Sequence, residues 1–143
     1  MAILKTRHSA IRGVCAALPD NPLSVMEVGM KHFDKTTVEK TARTIGVETL
    51  YEAKTDITAS DLCCAAAEKL ISELGWEKDT VNGLIFITQS PDYLAPSTAC
   101  TIQDRLGLPV DCFALDVNYG CSGFVSGLFL GNQMIETGAC TRV

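Results

Sequence analysis

The chain has 143 residues, of which 47% are hydrophobic and 20% are charged, and its net charge is −5 at pH 7. This length and composition suit one domain with a real core and exclude a disordered tail. Residues 61–143 carry four Lys and Arg against ten Asp and Glu. They therefore lack the basic stripe of a nucleic-acid surface, and we expect no nucleic-acid partner.

Membrane, secretion and metal signals are also missing from the sequence pattern. No apolar run reaches the roughly 18 residues that span a bilayer. The opening stretch MAILKTRHSAIRGV has no long apolar segment of the kind a secretion signal needs. The seven cysteines form no CxxC pair and only two histidines are present. We therefore expect a soluble cytoplasmic protein with reduced thiols, no membrane partner and no metal site.

The N-terminal third mixes weak and strong signals. The apolar stretch 9–18 predicts a strand, residues 23–33 favour a weak helix, and residues 47–58 are predicted to be irregular. Between them, Asp34 is a good N-cap for a helix over 35–45.

The remaining elements alternate between helices and strands. A helix is predicted over 61–74, capped by Ser60 and ended by Gly75, and the unbroken apolar run 83–88 predicts a buried strand. The later predictions are a helix from the cap Ser97 to Leu106, a buried strand over 111–117, a helix that follows Cys121 and runs to about Thr137, and the start of a strand at 141–143. This order indicates an α/β layered fold with a mostly parallel sheet and flanking helices.

Cys121 differs from the other six cysteines in its position. It lies in LDVNYGCSGFVSGL, on the turn between a buried strand and a helix N-terminus. Ligands of open α/β sheets bind beyond the carboxyl ends of the strands, where the free N–H groups of a first helical turn stabilise a thiolate. Gly120 and Gly123 are expected to leave room for a ligand beside the sulfur. The residues alone leave two interpretations open, a nucleophile or one more small buried hydrophobe.

The predicted last helix carries a glycine ridge, formed by Gly123, Gly127 and Gly131. Each glycine costs about 1 kcal/mol relative to alanine in a helix. We interpret the ridge as a surface for close approach of another helix, and a buried helix in a two-layer fold is the alternative.

The segment DVNYGCSGFVSGL resembles the nucleophile segment of the thiolase-like condensing enzymes, and in particular that of β-ketoacyl-acyl-carrier-protein synthase III. Three more stretches resemble this family: IRGVCAALP, GWEKDTVNGLIFIT and LAPSTACTIQDRLGL. The resemblance covers nearly the whole chain. It implies that residues 1–143 form the N-terminal half of a duplicated thiolase-like fold, whose C-terminal half we expect to lie outside this sequence. We therefore expect the full-length protein to be the acyltransferase and the isolated 143-residue chain to be inactive.

The resemblance also implies a mechanism and partners. Cys121 would take an acyl group from an acyl-coenzyme A or acyl-carrier-protein thioester, and decarboxylative condensation with malonyl-carrier protein would follow, in fatty acid biosynthesis. No cofactor is implied. The family takes its His and Asn from the C-terminal half, so neither His8 nor His32 is assigned that role. Strand 111–117 would pair across the two-fold axis of a homodimer.

Three departures from the family pattern concern the substrate. Glu48 and Thr49 stand where the family commonly has an Arg that contacts coenzyme A, and Lys40 stands near the Trp that stacks on its adenine. A carrier-protein donor is therefore favoured. Ala95 replaces a Phe that lines the partner's acyl pocket, which predicts a longer or bulkier acyl group.

Two alternatives remain open. One is an acyltransferase that works without decarboxylation, in secondary-metabolite or surface-polysaccharide synthesis. The other is a structural half-domain without catalysis, which would bury its last helix by self-association.

Overall fold

The computed structural model describes residue 3 and residues 5–143, and two compact units divide the chain. The small unit is Leu18–Thr58, and the large unit combines the segment ending at Ala17 with Ala59–Val143.

The small unit contains a two-stranded antiparallel sheet and two helices. Strand β1 (Pro22–Ser24) leads into helix α1 (Val25–Gly29), helix α2 (Lys35–Ile45) follows, and strand β2 (Thr49–Tyr51) pairs with β1. The prediction for α2 is confirmed, since the Asp34 carboxylate accepts the Thr37 N–H at 3.0 Å.

Two predictions for the small unit need correction. The weak helix expected over 23–33 is confirmed only over α1, and the stretch 47–58, expected to be irregular, contains β2. A three-residue strand has too few residues for a periodic pattern, so its pairing with β1 could not be seen from the sequence.

The large unit alternates helices and strands as expected. It comprises helix α3 (Ala59–Glu73), a 3-10 turn (Lys78–Thr80), strand β3 (Gly83–Ile87), helix α4 (Thr98–Leu106), strand β4 (Phe113–Val117) and helix α5 (Gly123–Glu136). Strands β3 and β4 are parallel, with Gly83 opposite Phe113 and Ile87 opposite Val117. The α/β fold class with a parallel sheet is thus confirmed.

Alternate side chains of β3 point to opposite layers of the large unit. Phe86 is 4% exposed and belongs to the core formed with α3 and α4, whose buried members include Ile102 and Leu106. Ile85 and Ile87 face the other way and lie under the glycines of α5. The strands therefore lie between α3 and α4 on one face and α5 on the other.

The glycine ridge of α5 faces the sheet, so the prediction that it contacts another helix is wrong. A methyl group on Gly123 would lie 2.6 Å from Ile87 Cγ2, and one on Gly127 would overlap Ile87 Cδ1. The bare positions let α5 approach β3 closely. The four-residue spacing of the glycines predicts that another element approaches α5 closely. It does not indicate whether that element is a helix or a strand.

This contact makes the effect of Gly127→Ala depend on Ile87. We expect the substitution to lower the free energy of unfolding by about 1 kcal/mol, because overpacking outweighs the gain in helix propensity. In an Ile87→Val background, which lacks Cδ1, the same substitution should be neutral or stabilising. Gly123→Ala is the matched control, since its clash is with Cγ2, which valine keeps. Denaturant unfolding of the native protein, Ile87→Val, and the two alanine variants in each background gives the coupling free energy between positions 87 and 127. Equal effects of Gly127→Ala in both backgrounds would contradict this packing.

The strand predicted over 9–18 is wrong, because this segment pairs with no strand in the part of the chain that the structure describes. Its first residue, Ser9, and the two residues before it are held instead by Glu136, the last residue of α5. The Glu136 Oε1 atom accepts the N–H groups of Arg7, His8 and Ser9 at 2.8, 2.9 and 3.0 Å, and the Ser9 hydroxyl at 2.8 Å. An apolar run becomes a strand only where a neighbour completes its ladder.

Residues 141–143, predicted to start a strand, form none. The Arg142 carbonyl nevertheless accepts the N–H groups of Asn82 and Gly83, both at 3.1 Å, beside the start of β3. An apolar groove of about 720 Å³ follows the edge of β3 that β4 leaves uncovered, and its walls include Ile11, Leu70 and Leu128.

The hydrogen bonds that Glu136 accepts from Arg7, His8 and Ser9, here called the Glu136 clasp, predict a contribution to stability that depends on pH. Hydrogen bonds from the backbone N–H groups of His8 and Arg7 lower the pKa of Glu136 from 4.5 to about 2. Because the folded pKa is the lower one, the clasp stabilises the fold above pH 4.5, and this contribution is lost as the pH falls towards 2. Glu136→Gln should therefore be less stable than the native protein at pH 7, with a difference that shrinks between pH 5 and pH 2.

The control for this experiment is Glu73→Gln, which removes an exposed helical carboxylate paired with Lys69 at 3.8 Å. Thermal unfolding across the pH series should show a much smaller change for this variant, since exposed pairs contribute little. A difference for Glu136→Gln that stays constant from pH 7 to pH 2 would argue against the clasp.

Candidate functional site

Cys121 lies on a tight turn at the carboxyl end of β4. The Gly123 N–H donates to the Gly120 carbonyl at 2.7 Å, which places Cys121 and Ser122 at the tip of the turn. The Cys121 side chain is exposed, and α5 begins two residues later. This position agrees with the one predicted from the sequence, a strand-to-helix turn.

The start of α5 gives this turn a positive local field. Ser122 is the N-cap residue, and its side chain makes no capping hydrogen bond. N–H groups of the first helical turn have no partner within the helix, and together with the helix dipole they favour an anion. A thiolate or an oxyanion that develops on a bound carbonyl would be stabilised here.

Four of the other cysteines are less suited to nucleophilic chemistry. Burial raises the pKa of Cys63, Cys64, Cys112 and Cys140, and this disfavours their thiolates. Cys100 differs from these four, because it is exposed in the first turn of α4, where its Sγ atom accepts the Ser97 hydroxyl at 3.6 Å. This second helix-start thiol was not expected from the sequence, because Cys100 follows a loop and not a strand.

The three predicted substrate-binding residues have different surroundings. Gly120 lies beside the Gln89 side chain, whereas Gly123 is buried and its open side is filled by Ile87 and Tyr119. Gly123 therefore serves the packing of α5 on β3, and the room beside the sulfur expected from it is not there. Ala95 is exposed in the loop between β3 and α4.

Asp116 braces the strand that carries the Cys121 turn. Its Oδ2 atom accepts the Thr98 N–H and its Oδ1 atom accepts the Ala99 N–H, both at 2.7 Å. It thereby caps α4 from β4, whereas Ser97, the predicted cap, makes no side-chain capping bond. The sequence signal was an aspartate within the otherwise apolar strand FALDV.

A second set of polar contacts, centred on Ser60, links α3 to α4. Ser60, predicted as the N-cap of α3, is its second residue and is fully buried. Its hydroxyl donates to Asp92 Oδ2 at 2.5 Å and accepts from Arg105 Nη1 at 3.0 Å. Arg105 also pairs with Asp61 at 2.6 Å, so the loop after β3 is anchored to both helices.

The structure places His8 far from Cys121. The His8 N–H donates to Glu136 at the end of α5, and the 14 residues of α5 span about 20 Å. Cys121 precedes the opposite end of this helix. His8 is therefore out of reach as a base for Cys121, in agreement with the decision not to assign it.

Within the part of the chain that the structure describes, no cluster of three potential metal ligands occurs. The helices in that part are all too short or too polar to cross a bilayer.

Comparisons with known proteins give the chain a family context. No family model matches it. It is 32% identical over 139 residues to a Campylobacter jejuni protein named 3-oxoacyl-[acyl-carrier-protein] synthase 3, and the match covers 94% of this chain and 39% of that protein.

Solved structures show the same relation. The crystal structure of a 3-oxoacyl-(acyl-carrier protein) synthase from Burkholderia xenovorans matches with a TM-score of 0.87 and 39% identity, covering 96% of this chain and 39% of that one. Xanthomonas campestris OleA, at 24% identity, shares the fold with a TM-score of 0.80 over 94% of this chain and 41% of its own.

The chain thus spans about two fifths of the length of the relatives it matches. The TM-score of 0.87 over 96% of this chain shows that the α/β fold described above is shared with the Burkholderia structure. The chain belongs to the thiolase-like condensing enzymes of the 3-oxoacyl-acyl-carrier-protein synthase III family and corresponds to an N-terminal part of their fold.

Proposed function

We propose that this chain carries the nucleophile of a synthase III-type condensing acyltransferase and that Cys121 accepts the acyl group. The observation that supports this role is the exposed Cys121 thiol on the turn between β4 and the N-terminus of α5. Family membership adds the reaction class, since the relatives are named as 3-oxoacyl-acyl-carrier-protein synthases.

In the first step, the Cys121 thiolate attacks the carbonyl carbon of an acyl thioester. The carbon–sulfur bond to the donor thiol breaks, and the donor leaves as a thiol after taking up a proton. The first turn of α5 lies beside this centre, where its N–H groups favour the negative charge that develops.

In the second step, a malonyl thioester loses carbon dioxide, and the resulting carbanion attacks the acyl carbon on Cys121. The Cys121 sulfur leaves as a thiolate, and a 3-oxoacyl thioester is released. We assign the His and Asn of this step to no residue that the structure describes, because His8 lies at the other end of α5.

The partners in the proposal are an acyl carrier protein and a second copy of the protein. Exposed Lys40, Glu48 and Thr49 in the small unit offer neither the Arg nor the Trp of a coenzyme A site, which supports a carrier-bound donor. Strand β4 pairs only with β3 among the described strands, and Phe113 on it is 50% exposed. This free edge supports the predicted homodimer, and the cytoplasmic location stays a prediction.

The test is acylation followed by condensation with the full-length protein that contains this chain, because the resemblance places the His and Asn of the family in the C-terminal half. We expect incubation with an acyl-carrier-protein thioester to add one acyl mass, mapped to Cys121 by peptide mass spectrometry. Addition of malonyl-carrier protein should then release the 3-oxoacyl product and carbon dioxide. Failure of both acyl-carrier-protein and acyl-coenzyme A donors to label Cys121 would remove the proposal.

A second candidate is an acyltransferase that does not decarboxylate a malonyl donor. The missing coenzyme A contacts at positions 40, 48 and 49 favour it, because they separate this chain from the common pattern of the family. Labelling of Cys121 together with acyl transfer to an alcohol or amine, without any need for malonyl thioester, would select this candidate.

A further inference from the structure

Gln89 is brought next to the Cys121 turn by the parallel pairing of β3 and β4. The two strands stay in register to Ile87 and Val117, and the Thr88 N–H still donates to the Val117 carbonyl at 3.2 Å. The chain therefore leaves the sheet at Gln89 on one strand and just after Val117 on the other. Since parallel strands end at the same edge of a sheet, Gln89 and the Cys121 turn are neighbours.

The Gln89 side chain lies flat against Gly120. A methyl group built on Gly120 would lie 3.4 Å from Gln89 Nε2, 3.5 Å from Cδ and 3.5 Å from Oε1. The near equality of the three distances means that the face of the amide covers Gly120, so both polar atoms point along the surface. The Thr88 hydroxyl accepts the Ser90 N–H at 3.0 Å, which fixes the turn that carries Gln89.

The Gln89 amide has unused hydrogen-bonding capacity. It is exposed, and it makes no hydrogen bond to any other residue that the structure describes. A side-chain amide offers two donor hydrogens and an acceptor oxygen. It is also neutral, so it can offer a directed hydrogen bond next to the Cys121 turn without opposing a thiolate or an oxyanion.

We propose that the Gln89 amide binds a polar group of the acyl-thioester donor within a few atoms of the thioester carbon. This inference rests on the proposed role of Cys121 and makes Gln89 a substrate-contacting residue of the same site. Two parts of the donor carry the required chemistry. One is a hydroxyl or oxo group on the acyl chain, and the other is an amide of the pantetheine arm.

The test compares the acylation rate of Cys121 in the native protein and in Gln89→Leu. Leucine keeps the bulk and removes the amide, and the exposed position should tolerate it. Butanoyl and 3-hydroxybutanoyl groups are each supplied on acyl carrier protein, whose pantetheine arm carries the amides, and on a simple alkyl thiol that lacks them. Gln133→Leu is the matched control, because it makes the same substitution on α5, about 15 Å along the helix from its start near Cys121. This variant should be acylated at the native rate.

We expect Gln89→Leu to slow acylation by about 3- to 10-fold with at least one donor, as for the loss of one neutral hydrogen bond. A loss confined to the 3-hydroxybutanoyl donors on both thiols places the contact on the acyl chain. A loss with both acyl-carrier-protein donors that vanishes with the alkyl thioesters places it on pantetheine.

Native rates for Gln89→Leu with all four donors would overturn this inference while leaving the role of Cys121 intact. If the native protein were not acylated by any donor, the proposed function itself would fail. The two failures are therefore distinguishable in one experiment.

Discussion

Cys121→Ala is expected to abolish covalent acylation and to lower product formation by roughly four orders of magnitude or more, the scale seen when a covalent nucleophile is removed. The physical reason is the geometry of the turn. No other side chain occupies its tip except Ser122, whose hydroxyl is a much weaker nucleophile at neutral pH than a thiol. Because Cys121 is exposed, its replacement should leave the free energy of unfolding almost unchanged.

The measurement is intact-mass spectrometry of the protein after incubation with an acyl thioester, combined with an assay of product release. Cys100→Ala is the control, because Cys100 is also exposed and also lies in the first turn of a helix. It should be acylated and active like the native protein. Acylation that persists in Cys121→Ala, or that disappears in Cys100→Ala, would place the nucleophile elsewhere.

The sequence was sufficient for features whose signals are local. The turn that holds Cys121, the capped helix α2 and the glycine ends at Gly75 and Gly107 depend on neighbouring residues, and the structure has them where they were predicted. Strands β3 and β4 were also found within two residues of their bounds, because their sequences are mostly apolar. Strand β4 is less buried than predicted, since Phe113 is 50% exposed.

Features that depend on distant partners could not be predicted. The run 9–18 has the composition of a strand, but its first residue, Ser9, donates its N–H group to Glu136, which is 127 residues away along the chain. The position of Gln89 beside Gly120 follows from the register of β3 and β4 and not from either segment alone. Family resemblance supplied the role of Cys121, but it did not indicate either of these contacts.

Replacement of the half-buried Asp116 by alanine is expected to be the most destabilising alanine substitution of a polar residue near the site, lowering the free energy of unfolding by about 3 kcal/mol. Its carboxylate satisfies the N–H groups of Thr98 and Ala99, both of which are fully buried residues. Hydrogen bonds to a charged group contribute about 1.5–3 kcal/mol each, and removing the acceptor leaves two buried donors without a partner. Local sequence rules would instead assign the larger effect to Ser97, which occupies the N-cap position.

The measurement compares the loss in free energy of unfolding caused by Asp116→Ala with that caused by Ser97→Ala. Ser97→Ala should cost little, because its hydroxyl reaches only the Cys100 sulfur at 3.6 Å and caps no N–H group. Chemical denaturation of both variants therefore ranks a cap supplied by β4 against one supplied by the helix itself. A larger loss for Ser97→Ala than for Asp116→Ala would contradict the brace.

A rescue variant separates the lost cap from a general disturbance of β4. Ser97 has the extended backbone of an N-cap residue, with φ −60° and ψ 138°, so an aspartate there can accept an N–H group of the first turn of α4. Ser97→Asp should recover about 1 kcal/mol in the Asp116→Ala background. In the native background it should give no gain, because Asp116 already holds these amides and a second carboxylate would repel it. Equal effects of Ser97→Asp in both backgrounds would show that the cost of Asp116→Ala arises within the strand and not at the start of α4.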